Sequence, residues 1–177
     1  MKKFPFLLLD AGPIIKLFEL SIWDRFIKRC DVNISRTVAE DEIVFASKEY
    51  DKEYIDFGLK PWEEKGLIRI IEAEPSDVKV FYEKHNLKGK YRIDPGEEEA
   101  LAFLYKCSKD WKLCSGDGPV FSVLGFLGRR DQGISLEEIL EKIGLSQSNL
   151  EWRYTRKFRE KYTQLGQTDF VQGQGLR

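Results

Sequence analysis

Four short strand-like runs, none long enough for a helix, punctuate the first two thirds of the chain. They are Phe4 to Leu9, Val32 to Ser35, Leu67 to Ile71 and Lys112 to Ser115. The first, FPFLLL, is almost continuously apolar, which fits a strand buried on both faces as in a parallel sheet. Between the runs lie stretches with helical periodicity. Ile14, Leu17 and Phe18 follow Ala11-Gly12-Pro13, with Pro13 suited to the first position of a helix. A second helix is expected over Ile22 to Arg29. A third begins at Arg36 and runs to about Tyr50, with Val38, Glu42 and Phe45 on one stripe. The segment from Lys52 to Gly66, interrupted by Pro61, reads as a helix end plus loop. Strands alternating with helices predict an α/β domain with a mainly parallel central sheet flanked by helices. In such sheets ligands bind beyond the carboxyl ends of the strands, so those ends are where chemistry is to be sought.

The later helices start at recognisable signals. Asp77 to His85 places Val78, Phe81 and Tyr82 inward. Asp94-Pro95-Gly96-Glu97 opens a helix carrying Ala100, Leu101 and Leu104, and Gly116-Asp117-Gly118 leads into another through Leu127. Ser135-Leu136-Glu137-Glu138 is a capping box, and Ser148 with Glu151 makes a second before a final helix to Leu165. Gly166 to Arg177, rich in Gly and Gln, is expected to be poorly ordered. Residues 1–134 are thus read as the α/β domain and 135–177 as a C-terminal helical extension with a flexible tail.

Composition narrows the chemistry. The 177 residues suit one domain, and 29 Lys+Arg against 30 Asp+Glu give a formal charge of -1, which points to no partner. A single histidine, His85, closes an apolar helix, and its solitude excludes multi-histidine metal sites. Cys30, Cys107 and Cys114 are odd in number and widely spaced, so neither a disulfide scaffold nor a CxxC zinc site is indicated. A reduced, cytoplasmic setting is expected. The apolar run at Phe6 to Leu9 is too short for a signal peptide, and no stretch approaches a membrane span.

Carboxylates remain. Asp10 follows the first strand and Asp117 the fourth, each before a turn into a helix. Singly, Asp117 fits a helix cap and Asp10 a solvated loop acid. Glu97 stands at the third position of a D-P-G-E capping box, yet shares a stripe with Ala100, Leu101 and Leu104 that aims it at the sheet rim. Glu98 and Glu99 read as helix-start acids favoured by the helix dipole. Helical spacing from Val38 turns Asp41 and Glu42 inward and Glu40 outward. Four converging acids would repel by roughly 4 kcal/mol per pair at ~4 Å without protons or a cation. Oxygen-only ligands select a hard ion, Mg²⁺ or Mn²⁺.

In order, LLLDAGPIIKL, ISRTVAEDEIVF, DPGEEEALAFL and LCSGDGPV resemble the four acidic motifs of the PIN-domain nuclease family, which includes VapC-type toxins. They span Phe4 to Leu127. The resemblance implies a PIN-like fold and metal-dependent endoribonuclease activity leaving 5′-phosphate and 3′-hydroxyl ends. It makes Asp10, Glu97 and Asp117 metal ligands, Asp41 or Glu42 the fourth acid, and Ser115 the hydroxyl that supports the last Asp. It also implies a homodimer and, where the chain is the toxin of a pair, an antitoxin protein. Gly118 stands where many relatives carry another acid, and the chain from Leu136 onward has no clear counterpart.

The segment EWRYTRKFREKY, Glu151 to Tyr162, sets five basic residues against two acidic ones and interleaves aromatics. Arg153, Arg156, Lys157 and Arg159 are candidate RNA contacts on it, with the aromatics able to stack bases. A solvated basic helix whose aromatics pack on the body fits equally. The alternative function is a catalytically silent module that binds nucleic acid or protein through this helix. Lys84, Lys88, Lys90 and Arg92 form a further basic loop. A dehalogenase-type phosphatase is disfavoured by Gly12, where that chemistry needs a second Asp.

Overall fold

The computed structural model describes residues 3–43, 58–87 and 89–173. Its centre is a five-stranded, all-parallel sheet of order β3-β2-β1-β4-β5. The strands are β1 (Phe4–Leu9), β2 (Cys30–Ser35), β3 (Ile68–Ile71), β4 (Lys112–Cys114) and β5 (Gly133–Ile134). The last, only two residues long, carries no sequence signal of its own. Leu9 pairs with Ile34 on one side and Cys114 on the other, which fixes the register at the carboxyl rim.

The apolar run of β1 serves two cores, as its continuity demands. Leu7 and Leu9 pack with Ile14, Leu17, Phe26, Ile34 and Leu140 on one face, whereas Leu8 packs with Leu101, Leu113 and Phe121 on the other. Successive side chains of a strand point to opposite faces, so from Leu7 to Leu9 only an apolar residue fits at each position. The first face is covered by α1 (Ala11–Glu19), α2 (Trp23–Arg29) and, later in the chain, α7 (Leu136–Lys142). The second is covered by α4 (Pro75–His85), α5 (Pro95–Lys106) and α6 (Gly118–Phe126), while the short α3 (Lys60–Glu64) precedes β3.

Several local expectations are corrected. The first helix begins at Ala11 rather than Pro13, because Asp10 occupies the cap position. After β2 the chain makes a π-helical turn, Val38–Glu42, in place of regular helix. Phe45 and the stretch on to Tyr50 lie outside the described residues. The Ser135 capping box forms, with the Glu138 amide donating to Ser135 Oγ at 3.2 Å and the Ser135 amide to Glu138 Oε2 at 2.9 Å. The Ser148–Glu151 box does not. Instead, a short 3₁₀ turn, Trp152–Tyr154, precedes α8 (Arg156–Val171), whose cap is Thr155, with Oγ1 accepting from the Phe158 amide at 3.3 Å.

The Gly/Gln-rich tail is helical as far as Val171, because its glycine has a packing role. Helices α6 and α8 approach closely enough that a Cβ at Gly166 would overlap the Ser122 carbonyl, and one at Gly125 the Thr163 carbonyl. Ser122 Oγ donates to Tyr162 O at 3.1 Å across the same contact. Gly166→Ala gains helix propensity but forces two backbones apart. A net loss of about 1–3 kcal/mol is expected, read as a lower urea midpoint at unchanged slope. A variant as stable as the parent would show that the helices separate freely.

Among the described residues no helix is long and apolar enough to cross a membrane.

Candidate metal centre

Strand order reverses beside β1: the chain moves out through β2 and β3, then returns to β4 on the other side. Such a switch point opens a crevice at the carboxyl ends of the two strands, since the loops leaving them diverge. Asp10 is the first residue after β1, and Asp117 leaves β4 after the Ser115-Gly116 turn. The two strand-end acids therefore flank the crevice.

Asp10 is not a solvated loop acid. It is 4% exposed, with Oδ1 accepting from the Ala11 amide at 2.9 Å and Oδ2 accepting from Ser115 Oγ at 2.7 Å. Ser115 is buried and its Oγ accepts in turn from the Asp117 amide at 3.0 Å, so one hydroxyl ties the two acid-bearing turns together. Asp117 stands at the cap position of α6 but makes no capping bond with its side chain, which is exposed. Its carboxylate is thus not consumed by the helix.

Glu97 comes from the opposite side. It occupies the third position of α5, where Oε2 accepts from the Asp94 amide at 3.0 Å, the capping role expected of it. The other oxygen has a different surrounding. Glu97 is 5% exposed, and its Oε1 is buried with no hydrogen-bond donor. Asp10, Glu97 and Asp117 each offer a carboxylate oxygen, and these lie within 4.8 Å of one another.

Three ionised acids so placed would repel by roughly 3 kcal/mol per pair at an effective dielectric near 20. Protons bound more tightly than usual offset that cost. Burial raises Asp10 to about 7 against the pull of the Ser115 and Ala11 hydrogen bonds, and the charges of Glu42 and Asp117 add to the rise. Burial, then the Asp10 charge, pushes Glu97 well above the usual carboxylate range.

The structure also separates Asp41 from Glu42. Asp41 faces solvent, whereas Glu42 is half-buried and its Oε1 accepts from the Gly96 amide at 3.0 Å. Glu42 therefore pins the π-helical turn to the start of α5, next to Glu97. Gly96 must lack a side chain, since a Cβ would overlap the Glu42 carboxylate and sit 2.8 Å from Val38 Cγ2. Burial raises the Glu42 pKa, opposed by that hydrogen bond and reinforced by Asp94, Asp117 and Asp41. Glu42 does not belong to the group of three.

Glu99, which the sequence marks as a helix-start acid like Glu98, is buried. Its Oε2 accepts from the Thr37 amide at 2.9 Å and its Oε1 from the Ala73 amide at 3.1 Å, which ties the exits of β2 and β3 to α5. His85 stands apart. Its ring packs against Tyr105 at 4.8 Å and Phe81 at 5.4 Å. Tyr105 is two helical turns beyond Glu97, roughly 12 Å along α5.

The basic segment is largely spent on internal pairs. Arg159 donates to both oxygens of Glu138, at 2.7 and 2.9 Å, and Arg156 to Glu141 Oε2 at 2.7 Å. Arg153 donates to Glu151 Oε2 at 3.2 Å, and Lys157 is exposed. Tyr154 and Phe158 are core residues, while Trp152 is exposed. In the other basic loop, Lys84 and Lys90 lie over the rings of Tyr105 and Phe126, and Lys88 lies outside the described residues.

No protein-family model matches the chain, and no curated protein matches it in sequence.

Proposed function

We propose that the chain is a PIN-like, Mg²⁺- or Mn²⁺-dependent endoribonuclease. The observation that carries this reading is the buried, donorless Glu97 Oε1 within 4.8 Å of carboxylate oxygens from Asp10 and Asp117. A buried acceptor that faces only other acceptors is costly unless a proton or a cation sits between them. The donor set, oxygen alone, fits a hard divalent ion, and Asp10, Glu97 and Asp117 would hold it.

When bound, such an ion supplies a water activated for attack and neutralises charge on a phosphodiester. The residues of this chain prepare that chemistry. Ser115 and the Ala11 amide fix both Asp10 oxygens, and the Asp94 amide fixes one Glu97 oxygen and leaves the other free for the site. Asp117 closes the triad from the solvent side, and Glu42 adds negative charge beside it. The reading of a silent module acting through the basic helix has less support, because Arg156 and Arg159 are already paired with acids of α7. RNA as substrate, a homodimeric state and an antitoxin partner belong to the same proposal.

The test is direct. Purified protein with single-stranded RNA is expected to cleave it in Mn²⁺ and not in EDTA, and the products are expected to carry 5′-phosphates accessible to a ligase. Absence of both cleavage and calorimetric Mn²⁺ binding at pH 8 would sink the assignment.

A further inference from the structure

The acidic triad has a buried side and an open side. Asp10 and Glu97 are 4% and 5% exposed, whereas Asp117 faces solvent, so a polymer reaches the site from the Asp117 side. The wall on that side comes from the C-terminal segment. Tyr154, 1% exposed, lies across both acid-bearing turns: its hydroxyl donates to Gly12 O at 3.0 Å, and a Cβ on Gly116 would come within 2.9 Å of its Cε1. Gly118, the residue after Asp117, is covered by the Tyr162 ring so closely that any side chain there would overlap it. The missing acid at position 118 and the extra C-terminal segment are two aspects of one arrangement.

Two cations stand over the rings of this wall among the described residues, Arg153 over Tyr154 and Lys161 over Tyr162 at 5.5 Å, and Arg153 is the one on the ring that covers both acid-bearing turns. The Arg153 guanidinium lies 4.9 Å from the centroid of the Tyr154 ring, and its Nε shares Glu151 with Lys16. Tyr154, which lies against Gly116, thereby sets Arg153 beside the turn that carries Asp117. The pair with Glu151 is exposed on both sides, 54% and 48%, and such pairs contribute only about 0–1 kcal/mol, so an incoming anion displaces it readily. Arg159 differs, since its pair with Glu138 is only 15% and 14% exposed, and Arg156, though its pair with Glu141 is as exposed as that of Arg153, is held by two acids of α7, Glu138 and Glu141.

A site of three acids and a fourth nearby repels a phosphate backbone everywhere except where a cation stands. We propose that Arg153 is a phosphate-binding residue of the acidic site, engaging the backbone of a single-stranded nucleic acid on the open Asp117 side, with Tyr154 as the post that sets its position. The inference rests on the nuclease reading given above and identifies how that site takes its substrate. Arginine suits the task because its planar fork binds a phosphate through two parallel hydrogen bonds.

The experiment measures binding without turnover. A fluorescently labelled single-stranded RNA oligonucleotide is titrated with the full chain in Ca²⁺, at several salt concentrations, and followed by anisotropy. Arg153→Ala is expected to weaken binding about tenfold at low salt and to flatten the plot of log K against log salt by about 0.7. Arg153→Lys should keep the slope and lose less affinity. Lys157→Ala, which removes the same charge from the same segment, should change affinity less than about twofold. Equal effects of Arg153→Ala and Lys157→Ala, or no effect of the former, would overturn the proposal. Calorimetric Mn²⁺ binding separates the two ideas: wild-type protein that neither binds Mn²⁺ nor cleaves RNA refutes the nuclease reading, whereas Mn²⁺ binding that survives Arg153→Ala with undiminished RNA affinity refutes only the role of Arg153.

Discussion

Asp10→Asn is expected to lower Mn²⁺-dependent RNA cleavage by more than about 100-fold while making the metal-free protein more stable. Loss of a residue that merely supports a ligand typically costs 10–100-fold in metal affinity, and Asp10 is placed as a ligand itself. The change exchanges one hydrogen bond for another. Asn keeps an oxygen for the Ala11 amide, and its new amide can donate to the second lone pair of Ser115 Oγ in place of the bond that this hydroxyl now donates to Asp10. The fold has something to gain, because above pH 7 the native residue is a buried charge beside two other acids. Taking 1 kcal/mol as ~2–4 °C in a chain of this size, a rise of at least about 3 °C at pH 8 in EDTA is expected. Cleavage assays and thermal melts on the same preparation check both halves. An active variant removes Asp10 from the site, and a destabilised one shows that its role is architectural.

The opposite signs matter. A residue retained for stability loses stability when replaced, whereas one retained for chemistry often gains it, since active sites hold charges the fold would otherwise reject. Glu99 makes the useful contrast within the same helix turn. It is as buried as Glu97, but both of its oxygens accept from backbone amides. Glu97, by contrast, has one oxygen with no hydrogen-bond donor among the described residues and faces the other acids with it.

Much of this arrangement is written locally. The apolar run of β1 ends at Asp10, the short β4 leads to Asp117, and D-P-G-E specifies the helix start that carries Glu97. These features follow from residues within a few positions of each other, which periodicity and capping signals record. The parallel sheet followed from the same runs. What escaped the sequence depends on distant partners. Glu99 looks like its neighbour Glu98 until Thr37, 62 residues away, is brought to it by the sheet. Regular helical spacing turns both Asp41 and Glu42 inward, but the chain makes a π-helical turn there, and its extra residue per turn leaves Asp41 facing solvent. Tyr154 carries no local mark of its role, which is created by Gly12 and Gly116 more than thirty residues earlier in the chain. The tail from Gly166 reads by composition as poorly ordered, yet Gly166 is the contact that lets α8 lie against α6.

Metal-free protein is expected to lose stability as pH rises from about 5 to 8.5, and Mn²⁺ to restore it only at the upper end. Asp10 titrates ordinarily at 3.8 and is raised to about 7 by its burial. Glu97 and Glu42 shift in the same direction, also chiefly through burial. A carboxyl raised in this way binds its proton more tightly in the native state than in the unfolded chain. Its stabilising effect is therefore complete below the unfolded value, falls as pH climbs past it, and is gone above the native value. For Asp10 alone the difference across that window is on the order of 4 kcal/mol, and Glu97 extends the decline beyond pH 7. The trend runs against the usual one for acids in salt bridges, whose stabilisation grows with pH. A bound cation is expected to replace the protons and reverse it. At 100 times its dissociation constant Mn²⁺ adds about 2.7 kcal/mol, a rise of roughly 5–11 °C in melting temperature for a chain of this length. At pH 5 protons hold the site and the same Mn²⁺ should move the transition little. Thermal melts at pH 5, 7 and 8.5, each with EDTA and with Mn²⁺, measure both effects. A melting temperature flat or rising with pH in EDTA, or an Mn²⁺ shift equal at pH 5 and 8.5, would mean that the three carboxylates do not form one coupled cation site.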